Sequence, residues 1–192
     1  RAYRDFVESR VVDGRQQLTG FLNLHSEGRM VLWPYAHTYA DLPPTMTADD
    51  HRTFVALARQ MAAINGYRPR QASAMYIIDG DHDDWLYHDH RIFAFTIELA
   101  RTARRHYPTP AEIAADAERN RGAFLLFLEQ ADCYYRAAGL AATHCGPLND
   151  DFEIGRGWRA DPYGSDTATR GAWRRGDPRR TANRSGVKQR GV

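Results

Sequence analysis

The stretch that decides the fold runs Tyr76-Ile77-Ile78-Asp79-Gly80-Asp81-His82-Asp83-Asp84-Trp85-Leu86-Tyr87-His88-Asp89-His90-Arg91-Ile92-Phe93-Ala94-Phe95-Thr96-Ile97-Glu98. Ile92 to Ile97 form a short apolar run of β-branched and aromatic side chains, the pattern of a strand covered on both faces of a sheet. Glu98 follows at once. Ligands of open α/β sheets bind outside the carboxyl ends of the strands, so an acid there is a candidate general base; the plainer reading is a strand that ends at the surface. Upstream, Asp79, Asp81, His82, Asp83, Asp84, His88, Asp89 and His90 gather acids and imidazoles. Their spacing matches neither a twelve-residue calcium loop nor a helical two-His zinc pair. A cap by Asp83 or Asp84 on a short Trp85-Leu86-Tyr87 helix accounts for several of them.

Working outward, Leu18 to His25 and Met30 to Trp33 read as further strands, the second stopped by Pro34. His25 therefore stands at a strand end, as Glu98 does. Tyr35 to Thr45, with Leu42-Pro43-Pro44, suits a loop at the rim of a cleft. Thr47 with Asp50 opens an amphipathic helix that Gly66 closes, and Arg68 to Gln71 lead back to the central stretch. Beyond Glu98, Arg101 to Tyr107 form a loop. Pro108-Thr109-Pro110 then start a helix expected to run to near Ala138, with Ile113, Ala117, Phe124, Leu125, Phe127 and Leu128 inward, Gly122 either a break or a close-packing point and Gly139 the stop. At the other end, Ala2 to Val12 reads as a helix beginning directly after Arg1, which suggests a chain that starts inside a domain. The fold class is α/β.

The sequence has 192 residues, 43% of them hydrophobic, enough for one real core plus an appendage. Residues 1–148 carry 16 basic and 18 acidic side chains, whereas residues 149–192 carry 10 and 6. That basic tail has no helical stripe or clustered aromatics, so a nucleic-acid partner is not expected. No apolar run reaches membrane-spanning length, so no membrane partner is expected either. From Asn149 onward Gly, Pro, Trp and Thr alternate with charge, which suggests the start of a β-sandwich too short to hold its own core. Cys133 and Cys145 are too few for a metal cluster; they suit one disulfide in a secreted protein or two free thiols in a cytosolic one.

Leu22-Asn23-Leu24-His25-Ser26, Trp33-Pro34-Tyr35, Tyr76, Asp84-Trp85 and Phe95-Thr96-Ile97-Glu98-Leu99 together resemble the second half of the zinc carboxypeptidases of the pancreatic A and B type. Tyr76 stands 22 residues before Glu98 with Asp84-Trp85 between, as the family arranges its mobile tyrosine, short helix and catalytic glutamate. The resemblance covers roughly residues 1–138. It implies the C-terminal half of an α/β domain, a mixed sheet flanked by helices, in residues 1–148. Residues 149–192 would begin an incomplete accessory β-domain of the sort that follows secreted bacterial members.

Function follows from the same resemblance: zinc-dependent hydrolysis of the C-terminal peptide bond of peptides and proteins. It implies that His25 is the third zinc ligand, Glu98 the general base and acid, and Tyr76 the phenol that closes over the substrate. Ser26 and Tyr107 would contact substrate. Asp83 takes the position at the base of the pocket for the terminal side chain, with Asp81 nearby, which implies acceptance of Lys and Arg; Ile77, Ile78 and Tyr107 leave room for mixed specificity. An extracellular enzyme also implies that Cys133 and Cys145 pair. The family's His-x-x-Glu ligands and substrate-binding arginines lie upstream of the matched region, and no His-x-x-Glu occurs here. Glu27 stands where pancreatic enzymes carry tyrosine. The chain alone is therefore expected to be inert. The rival readings are a same-fold zinc hydrolase acting on a small acylated amino acid and a non-catalytic or degenerate remnant.

Overall fold

The computed structural model describes residues 1–12, 14–100 and 107–145. In chain order the regular elements are α1 (Ala2–Glu8), β1 (Val11–Val12), β2 (Arg15–Gln16), β3 (Gly20–His25), β4 (Met30–Trp33), α2 (Ala48–Asn65), β5 (Arg68–Gln71), α3 (His82–His90), β6 (Phe93–Glu98), α4 (Pro110–Glu129) and α5 (Ala141–His144). Single 3-10 turns occupy Ala72–Ala74 and Tyr134–Ala138. One compact unit spans Arg1–Ala141. The expected β-rich tail, residues 149–192, lies outside the described residues, as does most of the loop expected at Arg101 to Tyr107.

β6 sits inside a four-stranded mixed sheet of order β3-β6-β4-β5. It runs parallel to β3 and antiparallel to β4, which is itself parallel to β5. All six β6 residues are buried, as the unbroken apolar run predicts for a strand covered twice. Alternation divides them. Phe93, Phe95 and Ile97 enter the main core with Val31 and Trp33 of β4 and Phe54, Leu57 and Met61 of α2, joined by Ala123 and Phe127 of α4. Ile92 and Ala94 meet Leu86 and Val7 in a smaller cluster on the opposite face.

The capping signals hold. The Thr47 hydroxyl accepts the Asp50 amide at 3.1 Å, and Gly66 ends α2 in the left-handed conformation. Thr109 and Glu112 form a reciprocal capping box at the start of α4. A Cβ on Gly122 would come within 2.8 Å of Ile64 on α2, so Gly122 is a close-packing point.

Four expectations are corrected. The first helix stops at Glu8, because the β-branched pair Val11–Val12 is extended and pairs with Arg15–Gln16. Arg68–Gln71 is a strand; it lies on the sheet edge, where a proline costs no ladder hydrogen bond if its nitrogen faces outward. α4 ends at Glu129, after which Cys133 is extended and a separate 3-10 turn leads to Gly139. The buried residues of α4 are Asn120, Ala123 and Phe127, one narrow stripe, while Ile113, Leu125 and Leu128 are exposed.

Candidate active site

β3 and β6 run side by side in parallel, and their register sets Asn23 opposite Thr96 and His25 opposite Glu98. Residues opposite one another in a ladder project to one face, so His25 and Glu98 share the carboxyl end and the same side of the sheet. Glu98 is buried and His25 exposed. Backbone hydrogen bonds fix the corner. The Leu99 amide donates to the His25 carbonyl at 2.7 Å, and the amides of Gly28 and Arg29 donate to the Leu99 carbonyl at 3.0 and 3.2 Å. A Cβ on Gly28 would lie 3.0 Å from the Glu98 Cβ and 2.5 Å from the end of Met30, so a larger residue here would push on both Met30 and the acid.

One step inward on that face, the Thr96 hydroxyl donates to Asp83 Oδ2 at 2.7 Å. Asp83 is buried inside α3, with its other oxygen 3.0 Å from His82 Nε2. That second approach is at ion-pair distance but off the line of a hydrogen bond, leaving Oδ1 without a proper donor. His82 Nδ1 is 3.6 Å from Asp81, and its ring stacks on His25 with centroids 6.4 Å apart. Asp83 is the chief reason the imidazole of His82 holds its proton more tightly than usual. Burial, then the charge of Asp83, raises Asp81 above the usual carboxylate range. The same two causes push the Tyr3 phenol, at the rim of this cluster, up to about 12.

The capping expectation for Asp83 and Asp84 is corrected by this arrangement. α3 starts at His82 with Asp81 at the cap position, and Asp81 makes no side-chain cap hydrogen bond. Asp84 instead accepts the amides of Ala36 and His37 and contacts His37 Nδ1 at 2.7 Å. It ties α3 to the turn after Trp33-Pro34-Tyr35. That is the structural use of the Asp-Trp motif.

The segment carrying Tyr76 lies over the same face. Met75 and Ile78 pack against Met30 and Leu32, which stand opposite Glu98 and Thr96 in the β4–β6 register. Tyr76 itself is exposed between these two anchors. Ser26 borders a cavity of about 530 Å³ lined mostly by α4, including Glu112, Asp116, Asn120 and Phe124, together with Leu24, whose parity along β3 is opposite to that of His25. Tyr107 is exposed beyond residues 101–106, and no described contact joins it to Asp83. Thus His25, Glu98, Asp83, Asp81 and the Tyr76 segment gather on one face, whereas Ser26 lines a cavity on the α4 side and Tyr107 is not drawn in by any described contact. Among the described residues, no three His, Cys, Asp or Glu side chains are placed to hold a metal ion. The donors fit one ligand of a zinc centre and not a whole centre.

Sequence reasoning passed over Thr96, His82 and Gly28. Thr96 had a legible signal, a hydroxyl at an inward position of an otherwise apolar strand. Gly28 had none, since its need arises from a strand some 70 residues away.

The sequence profile described as zinc carboxypeptidase matches residues 1–123. The chain belongs to the zinc carboxypeptidase family. It is 39% identical over 136 residues to a zinc carboxypeptidase of Saccharothrix mutabilis subsp. capreolus, which covers 70% of this chain and 31% of that protein. Human carboxypeptidase B is 27% identical over 123 residues, covering 62% and 28%. The inactive metallocarboxypeptidase ecm14 of Schizosaccharomyces pombe is 29% identical over 124, covering 59% and 24%. The chain thus spans about a third or less of the length of these relatives. Its fold matches the crystal structure of thrombin activatable fibrinolysis inhibitor with a TM-score of 0.55 at 19% identity, over 68% of this chain and 32% of that one. The mixed sheet flanked by helices is the carboxypeptidase fold.

Both cysteines of this zinc carboxypeptidase chain, Cys133 and Cys145, are disulfide-bonded. No described helix is long and apolar enough to cross a membrane.

Proposed function

We propose that this chain forms part of a zinc metallocarboxypeptidase that removes C-terminal residues from peptides and proteins and accepts Lys and Arg at the end it cleaves. The observation that carries the reading is the register pair of His25 and Glu98 at the carboxyl end of adjacent strands. In it, His25 supplies one metal ligand. Zinc held by three protein ligands polarises a carbonyl and acidifies a bound water. Glu98, buried at the same strand end, would hold and move a proton there as general base and acid. Tyr76 closes over the peptide from its anchored, exposed loop, and Ser26 and Tyr107 contact the chain of the substrate. Asp83, with Asp81 nearby, pairs with a basic terminal side chain. The remaining zinc ligands and the arginines that grip the terminal carboxylate come from sequence outside these 192 residues. The disulfide supports an extracellular setting.

The similarity to a relative described as inactive favours a second reading, a domain that keeps the fold without turnover. The two are separated by incubating the complete domain, zinc-loaded, with a synthetic peptide and following products by mass spectrometry. Stepwise loss of C-terminal residues, abolished by a chelator, is the expected result. No cleavage by zinc-loaded protein would favour the inactive reading, and internal cleavage would overturn both.

A further inference from the structure

Asp83 is 3% exposed, so a carboxylate proposed to meet a substrate cation is closed off as the structure stands. Its oxygens are served unequally. Oδ2 receives a good hydrogen bond from Thr96, while Oδ1 has only the misaligned His82 Nε2 at 3.0 Å. A buried carboxylate oxygen without a well-aligned donor keeps most of its desolvation cost, and a guanidinium or ammonium would relieve it. His82 is the group in the way. Its side chain is about one-third exposed, and its other neighbours are the Asp81 carboxylate at 3.6 Å and ring contacts with Phe21, Tyr3 and His25. None of these encloses it, so it has room to turn outward.

We infer that His82 is a specificity-determining residue that stands in for the basic side chain of the substrate: it occupies Asp83 in the free enzyme and must leave when a C-terminal Lys or Arg enters. This rests on the proposed pocket role of Asp83. An apolar terminal residue leaves the His82–Asp83 pair in place, whereas a basic one must displace it. Discrimination in favour of basic residues is therefore weaker than Asp83 alone would give. His82 acts through Asp83 and not on the scissile bond.

The test is the ratio of kcat/KM for two peptides that differ only in ending with Arg or Leu, measured on the zinc-loaded complete domain with zinc content checked for each variant. His82→Leu should raise the Arg-to-Leu ratio roughly fivefold, the weight of a partly exposed ion pair. His82→Gln, which keeps an N–H near Asp83, should stay close to wild type. His82→Ser, suited to the partly exposed position, serves the same purpose as Leu should the apolar variant fold poorly. Asp83→Ala should lower the ratio, and adding His82→Leu to it should change nothing further. A lowered ratio in Asp83→Ala with no rise in either His82→Leu or His82→Ser overturns the inference alone. An unchanged ratio in Asp83→Ala overturns the pocket reading and the inference with it.

Discussion

On one face of the sheet Val31, Trp33, Phe93, Phe95 and Ile97 meet Phe54, Leu57, Met61 and Phe127; on the other, alternate positions of β6 and of its neighbour β3 hold Thr96, Glu98, Asn23 and His25. The first face is covered by α2 and α4 and is almost wholly apolar. Its polar inclusions are hydrogen-bonded: Asp50 accepts the hydroxyls of Tyr87 and Tyr135, and Asn65 donates to Asn120 between α2 and α4. The second face carries two small apolar clusters, around Val7, Leu86 and Ile92 and around Met30, Leu32 and Ala72, with a strip of polar side chains running between them to the strand ends. One set of strands thus buries an apolar core with one parity and presents polar side chains, the proposed site, with the other. Period-two alternation makes this division possible, since adjacent residues are separated by the thickness of the sheet.

The comparison can be broken by substitutions on either side. Phe54→Ala, at a fully buried position, should destabilise the 192-residue chain by about 3–5 kcal/mol in denaturant unfolding, with loss of transfer energy plus a cavity. A loss below ~1 kcal/mol would mean that the α2 face is not the stabilising one. Asp50→Ala leaves two tyrosine hydroxyls without their acceptor and should cost about 2–4 kcal/mol. Thr96→Val on the opposite face removes the good donor to Asp83 and should cost about 1–2 kcal/mol, less than the core change, while disturbing the His82 ring resonances in NMR.

The smallest expected effect is a matter of pH. Asp81 has a raised carboxyl pKa in the folded protein, so the folded state holds its proton more tightly than the unfolded state does. Its contribution therefore becomes less favourable as pH rises from the unfolded value through the folded one. Asp81→Asn should therefore gain stability relative to wild type as pH rises through that window and match it at the acid end. A variant that loses stability relative to wild type over that window would mean that Asp81 gains more from His82 than burial costs it.

Most of the first face was legible in the sequence. The Ile92-to-Ile97 run, the Thr47 and Thr109 caps and the Gly66 stop are local signals, and each formed where local physics placed it. Leu128 and Ile113 misled because an apolar residue on a helix does not say which neighbour covers it. β5 was hidden because Arg-Pro-Arg-Gln carries no strand pattern, and only its pairing with Met30–Trp33 makes it one. On the second face His25, Tyr76, Glu98 and Asp83 were named through resemblance, which attaches roles to positions. It could not reveal that His82 already sits on Asp83, because that contact depends on how α3 rests over β6.

In the proposed function His25 and Glu98 divide the work at one strand end, the first holding zinc and the second moving a proton. The most direct measurement is zinc stoichiometry and kcat on the complete domain carrying Glu98→Gln, with His25→Ala alongside. The account predicts that Glu98→Gln keeps its zinc and loses roughly 10²–10⁴ in kcat, the usual weight of a positioned acid–base group, while His25→Ala loses the zinc itself. Wild-type turnover by Glu98→Gln, or full zinc retention by His25→Ala, would contradict it.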